Sequence, residues 1–316
     1  MGAGDGCSAS ALPGTSDPWT LIAVAGPGVK SLGRWMAAMD GLRVVPVART
    51  ARAGTVLRLV DGRAGRSAQV EAGAGLLLRV WVHFPPAGDP GQLFAVRALL
   101  VADVLSRAVE LFRGQALVGI AHASGAGGPG GDRSVEVAAA GLGIKPPAAQ
   151  GGQDALLPAL GGPADVEVAG WNDQLEGAAG GIHMGVGAVE PDQVPAVADR
   201  LAVRLALLTH VHHEPAVLTP DVLAEAERTL ARWRPAVASW AQAPSKPMCA
   251  EILDDALAGL KDNLAVPRVL AALHRLEREP GLPAGSRFET AAYLDRVLGL
   301  ELTREVGRPR LPRPAP

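Results

Sequence analysis

Residues 76–124 restrict the fold more than any other part of the chain. LLLRVWVHF (76–84) is a near-continuous apolar run, the pattern of a strand covered on both faces. A Pro/Gly loop follows, and then GQLFAVRALLVADVLSRAVELF. It places Leu93, Val96, Leu100, Val104, Ala108 and Leu111 on one helical face. ALVGIAHAS (116–124) supplies a second strand. Strand, helix, strand in that order predicts a βαβ unit, hence a parallel sheet with a right-handed crossover. The loop between strand and helix is where backbone N–H groups and a helix dipole commonly receive phosphate. Here it carries Asp89 and no Lys, Arg or His between Pro85 and Arg97.

The rest of the chain extends that unit. TVLRLVDGRAGRSAQVEA reads as a hairpin with Asp61-Gly62 as its turn signal. GAGGPGGD (125–132) reads as a linker, and the stretch to about residue 164 is low in order signals. ADVEVAG and GIHMGVGAV are short strand candidates, followed by the helix DRLAVRLALLTH. From residue 219 the pattern is helical. Thr219 is the expected N-cap with Pro220 in the first turn, and a second and a third helix follow. The fourth is expected to open on a capping box at Ser286–Glu289 and to stop near Gly299. The expected fold class is α/β, a Rossmann-like parallel sheet followed by a C-terminal helical bundle. The expected divisions are a tail at 1–18, an α/β domain at 19–215, the bundle at 216–302 and a basic Pro/Arg tail at 303–316.

Composition narrows the function classes. A net charge of −2 over 316 residues argues against broad electrostatic binding of DNA or RNA. Two distant cysteines suit a reducing cytoplasm, no basic-apolar leader opens the chain, and no apolar stretch is long enough for a bilayer. A cytoplasmic protein without membrane or DNA partners is expected.

Several local motifs carry possible chemistry. His210, His212, His213 and Glu214 in THVHHEP raise the alternative of a metallohydrolase. They also end an amphipathic helix, where imidazoles satisfy free carbonyls and complement the dipole, and this structural reading is favoured. Gly26-Pro27-Gly28-Val29-Lys30-Ser31 lacks the spacing of a phosphate loop and reads as a turn. Ser124 lacks the strand-to-helix elbow of a nucleophile. Ser245-Lys246 lies in a Pro-flanked interhelical loop and reads as solvated.

Taken together, several segments resemble the class I cysteinyl-tRNA synthetases and, more closely, the related cysteine ligase of the mycothiol pathway. They are TVLRLVDGRAGRSAQVEAGAGLLLRVWVH, DPGQLFAVRALLVADVLSRAVEL, GGPADVEVAGWNDQ, DRLAVRLALLTHVHHEPAVLTPDVLAEAERTLARWRPAV, DDALAGLKDNLAVPRVLAAL and YLDRVLGLEL. The likeness spans most of residues 54–302, and residues 1–50 match nothing in it. It implies an ATP-dependent ligase with a HIGH motif, a KMSKS loop and a zinc ion.

This sequence departs from each of these. The HIGH positions read Asp89-Pro90-Gly91-Gln92, so only the glycine is kept. The KMSKS region reads GAVEPDQVPAVADR, with Glu190 and Asp192 in place of lysines. The zinc positions fall on Val80, Gly170 and Gln174. The vestigial nucleotide pocket would comprise His83, Gly88, Asp89, Gly91 and Gln92. Removing one preorganised charge stabiliser costs roughly 10²–10³ in rate. The resemblance therefore implies a degenerate member without catalytic residues, ATP or zinc, retained to bind a small ligand, a protein partner or a second copy through the bundle, with tRNA not expected. An active amino acid ligase or transferase using Asp89, Gln92 and His83 is the runner-up.

Overall fold

The computed structural model describes residues 55–84, 92–121, 133–170, 180–191 and 193–308. The expected tail at 1–18, the linker at 125–132, the turn at 26–31 and most of the C-terminal tail lie outside these residues.

The chain enters through a hairpin, β1 (Thr55–Asp61) and β2 (Arg66–Ala72), paired antiparallel from Thr55 opposite Ala72 to Asp61 opposite Arg66. Its turn is longer than the two-residue signal Asp61-Gly62 predicts. Asp61 Oδ1 accepts from the amides of Arg63 and Ala64, and the left-handed position falls on Gly65 at φ +62°.

β3 (Leu77–His83), α1 (Gln92–Leu111) and β4 (Gln115–Ala121) form the expected βαβ unit, with β3 and β4 parallel. α1 was read as amphipathic, yet sixteen of its twenty residues are buried, including Arg97, Asp103 and Ser106. The apolar stripe lies on the sheet, and the C-terminal helices cover much of the remainder.

Between residues 133 and 164 the structure corrects the sequence reading. α2 (Arg133–Gly141), β5 (Ala149–Gly151) and α3 (Gln153–Ala159) are ordered there. Their Ala- and Gly-rich sequences carry weak local signals, and tertiary packing supplies the order. Val135, Ala138 and Ala139 enter the main core. Leu156 and Leu160 close a smaller cluster with Trp81, Ala121 and Ala164.

β6 (Val166–Gly170) and β7 (Ile182–Val186) complete a five-stranded, wholly parallel sheet of order β5-β4-β3-β6-β7. The chain winds outward from β3 in one direction through β4 and β5, then in the other through β6 and β7. The crevice between the carboxyl ends of β3 and β6 is therefore the topological switch point, where open α/β sheets place their ligands.

β8 (Val189–Glu190) and β9 (Ala216–Val217) form a small parallel pair around α4 (Arg200–Leu208). Four long helices follow: α5 (Pro220–Trp240), α6 (Ala250–Lys261), α7 (Val266–Arg278) and α8 (Ala284–Leu298). Thr219 caps α5 by accepting from the Val222 amide, with Pro220 in its first turn. α8 does not open on the Ser286–Glu289 box. It starts three residues earlier with Pro283 at the cap, Ser286 is buried, and Glu289 accepts from the Ser245 hydroxyl instead. Gly299, left-handed at φ +61°, ends it as expected. One apolar core runs from β1 and β2 through α1 and the sheet into α4–α8.

Buried ion pairs fasten these layers. Asp103 on α1 accepts from Arg204 at 2.7 Å and from Arg107 at 2.8 Å. Arg204, wholly buried, also donates to the carbonyls of Leu142 and Leu298, tying α1, α4 and the end of α8 together.

Candidate functional site

At the switch point β3 ends on His83, which pairs in register with Ala121 and is almost buried, and β6 ends on Gly170. The two faces of the sheet differ here. Val80, Val82, Val166, Val168 and Met184 point into the main core. On the opposite face, alternation brings up Trp81, Glu167 and His183, which lie in register across β3, β6 and β7. Neighbouring strands are about 4.8 Å apart, so Glu167 sits between the indole and the imidazole. Its carboxylate is fully buried and accepts from Arg63 Nη2 at 2.8 Å, an arginine delivered by the β1–β2 turn. The Gly62 amide, donating to the His183 carbonyl, anchors that turn on β7. His83 lies two residues beyond Trp81 on the same face, their ring centroids 6.5 Å apart. A buried carboxylate paired with a guanidinium thus shares one sheet face with two buried imidazoles.

The sequence-predicted positions divide as follows. Gly88, Asp89, Gly91 and Gln174 lie outside the described residues. Gln92 is the first residue of α1, and its side-chain oxygen accepts from the Val194 amide at 3.3 Å. The segment at the HIGH position and the segment at the KMSKS position therefore touch. Val80 stands opposite Val166, four residues before Gly170 on its own strand. That separates Val80 and Gly170 by about 13 Å along the sheet. Val80 is an aliphatic group inside the core and Gly170 has no side chain, so neither offers a metal a donor.

Arg97 dominates the carboxyl end of β7. Its four terminal N–H groups all go to backbone: Nη1 to Gly187 and Ala188 at 2.9 Å each, Nη2 to Val211 at 3.1 Å and Glu214 at 2.8 Å. Burial lowers its pKa to about 10, against the opposing pull of Glu214, so it stays charged at neutral pH. Gly187 completes this joint. Its amide donates to the His212 carbonyl, and a Cβ there would overlap the Glu214 carbonyl.

The histidine cluster serves the same joint. His210 Nδ1 lies 3.1 Å from the Ala206 carbonyl at the end of α4, the helix-terminating role expected of it. His212 is buried beside a cavity of about 30 Å³ lined by Leu100, Val104, Leu208 and Leu264. Burial, followed by the neighbouring His213 and Arg97, pushes its pKa down to about 3. His213 meets it edge-on at 5.1 Å. Among the described residues no three His, Cys, Asp or Glu side chains converge on a metal position.

Sequence reasoning missed Arg97, Arg63, Glu167 and His183. The one available signal was a glutamate inside the apolar strand ADVEVAG, since a buried carboxylate requires a partner.

No family model matches the chain. Three curated relatives illustrate its similarity, all carrying the name L-cysteine:1D-myo-inositol 2-amino-2-deoxy-alpha-D-glucopyranoside ligase. The protein of Streptosporangium roseum is 38% identical over 113 residues, covering 33% of this chain and 26% of the relative. That of Geodermatophilus obscurus is 42% identical over 110 residues, covering 33% and 25%. That of Thermobispora bispora is 36% identical over 105 residues, again 33% and 25%. The chain thus matches about a quarter of the length of these relatives. Over about a third of its own length the chain is thus similar in sequence to these L-cysteine:1D-myo-inositol 2-amino-2-deoxy-alpha-D-glucopyranoside ligases.

Proposed function

We propose that the chain is a catalytically silent relative of these ligases, kept for binding rather than for ATP-driven activation. The observation that carries this reading is the state of Arg97. It is the cation at the carboxyl end of β7, and its four terminal donors are committed to backbone carbonyls. Arg63 is likewise engaged, with Glu167. The sequence agrees, with Asp89 and Gln92 at the HIGH positions and Glu190 and Asp192 in the KMSKS region. A triphosphate would meet negative charge there, and in a low-dielectric cleft repulsion is strong. Zinc does not fit Val80 and Gly170 either.

The ligand class that suits the remaining crevice is a small hydroxyl- or amine-bearing molecule, and the C-terminal helices offer a surface for a protein partner or a second copy. Neither tRNA nor DNA is proposed as a partner. Among the described residues no helix is long and apolar enough to cross a membrane. Thermal-shift titration separates nucleotide binding from its absence. A ligand at ten times its Kd stabilises by about 1.4 kcal/mol, a shift of a few degrees for a protein of this size. Any shift that millimolar MgATP produces is expected to be the same in the Gln92→Ala variant, and a saturable shift of several degrees that this substitution abolishes overturns the reading.

One observation favours a second reading, an active ligase or transferase with a rebuilt site. Glu167, His83 and His183 form a polar face that a merely inherited scaffold does not require. Amino-acid-dependent ATP consumption that Glu167→Gln abolishes would establish it.

A further inference from the structure

A groove between the α5–α6 loop and α8 shares no lining residue with the sheet. It is a solvent-open groove with a volume of about 550 Å³. One wall is Ser245, Lys246 and Met248 from the loop. The other is Glu289, Tyr293 and Arg296, which share one face of α8 by their spacing of four and seven residues.

The groove is preformed. At one end Gly285 lets α8 approach so closely that any Cβ would overlap the Pro244 carbonyl. The Ser245 hydroxyl donates to Glu289 at 2.7 Å, and the Cys249 amide donates to Thr290 Oγ1 at 3.0 Å. Two prolines, Pro244 and Pro247, stiffen the stretch between these anchors.

Several arginines on these helices meet carboxylates: Arg228 with Glu225, Arg232 with Glu277, Arg268 with Asp255 and Arg275 with Glu251, while Arg287 donates to backbone carbonyls. Lys246 and Arg296 have no carboxylate partner among the described residues, although both are exposed to the same groove. Arg296 lies over the Tyr293 ring at 5.7 Å, which holds the guanidinium beside an aromatic face. Glu289 adds a carboxylate with one oxygen taken by Ser245 and the other available to accept.

Two cations without a carboxylate partner, an aromatic ring, a thioether and a carboxylate thus line one groove. We infer that this groove is a binding site for a nucleoside phosphate. Lys246 and Arg296 hold the phosphate, the Tyr293–Met248 surface packs against the base, and Glu289 accepts from a sugar hydroxyl. The inference does not depend on the proposal for the sheet crevice, since the groove shares no residue with it.

Isothermal titration with AMP tests it, with adenosine and inorganic phosphate as separate arms. AMP is expected to bind one site, and adenosine or phosphate alone about tenfold more weakly or worse. Lys246→Ala and Arg296→Ala are each expected to weaken AMP by about tenfold, and the double variant by more. Both residues are exposed, so circular dichroism and melting should be unchanged. Absence of AMP binding overturns the inference, as does AMP binding that survives the double variant. Phosphate binding as tightly as AMP reduces the site to a plain anion site and overturns it too. So does single-stranded RNA binding that requires Lys246 and Arg296 in the absence of AMP affinity.

Discussion

Replacing Arg97 by Met separates a structural cation from one kept for a ligand. The substitution retains much of the aliphatic stem and removes the guanidinium. Four carbonyls, those of Gly187, Ala188, Val211 and Glu214, lose a charged donor. Hydrogen bonds to charged groups contribute roughly 1.5–3 kcal/mol each before the cost of burying the ion is set against them. Ala188 and Glu214 are exposed, so water can replace two of the four donors. The Gly187 carbonyl is buried and has no such recourse. A net loss of about 3–5 kcal/mol follows, comparable to breaking a buried ion pair, and it lowers the melting midpoint by on the order of 10 °C. Urea unfolding followed by tryptophan fluorescence reads the loss. Hydrogen exchange reads its location, with amides of residues 187–190 and 211–218 opening first. Arg97→Lys should fall between, since an ammonium cannot reach four carbonyls at once. A loss below about 1 kcal/mol with unchanged exchange would refute the reasoning, because the clamp would then be incidental.

Three further perturbations probe the same joint and its supports. His212, held neutral to about pH 3 by burial, resists protonation that the unfolded chain accepts near 6.5. As pH falls below 6.5 the native state should lose about 1.4 kcal/mol per pH unit relative to a His212→Leu variant, levelling off near pH 3. Equilibrium unfolding at pH 7, 6 and 5 checks this, and parallel curves for the two proteins contradict it. Gly187→Ala should cost about 3 kcal/mol in the same unfolding assay, since the new methyl collides with the Glu214 carbonyl. Asp103→Asn leaves Arg204 buried without its counter-charge and should cost about 3–5 kcal/mol, measured as a shift in urea midpoint.

What the sequence disclosed depends on where each signal originates. The βαβ unit was legible because β3 is continuously apolar and α1 carries a clear stripe, and both patterns are local. The ends of α5 and α8 were legible for the same reason, through Thr219-Pro220 and Gly299. α2, β5 and α3 were not, because their order comes from Val135 and Ala138 entering the main core and from Leu156 and Leu160 meeting Trp81, rather than from propensity. Ser286 and Glu289 have the spacing of a capping box, yet the close approach of Gly285 to Pro244 draws the helix start upstream. At the site, the helix-ending role of His210 could be read locally. The role of Arg97 could not, because its partners are carbonyls 90 to 117 positions away and a backbone carbonyl leaves no mark in a sequence. Glu167 is a lone charge in an apolar strand, a signal that went unread, and its partner Arg63 lies 104 positions upstream. Long-range polar pairing is thus the portion of this site that composition and periodicity leave unread.

The most direct test of a silent activation cleft is amino-acid-dependent exchange of pyrophosphate into ATP. Purified protein should be assayed with cysteine and a panel of other amino acids, beside one of its curated ligase relatives. The account predicts exchange at the level of the enzyme-free control for every amino acid while the relative turns over with cysteine. Exchange well above that control, abolished by Gln92→Ala or Glu167→Gln, would contradict it.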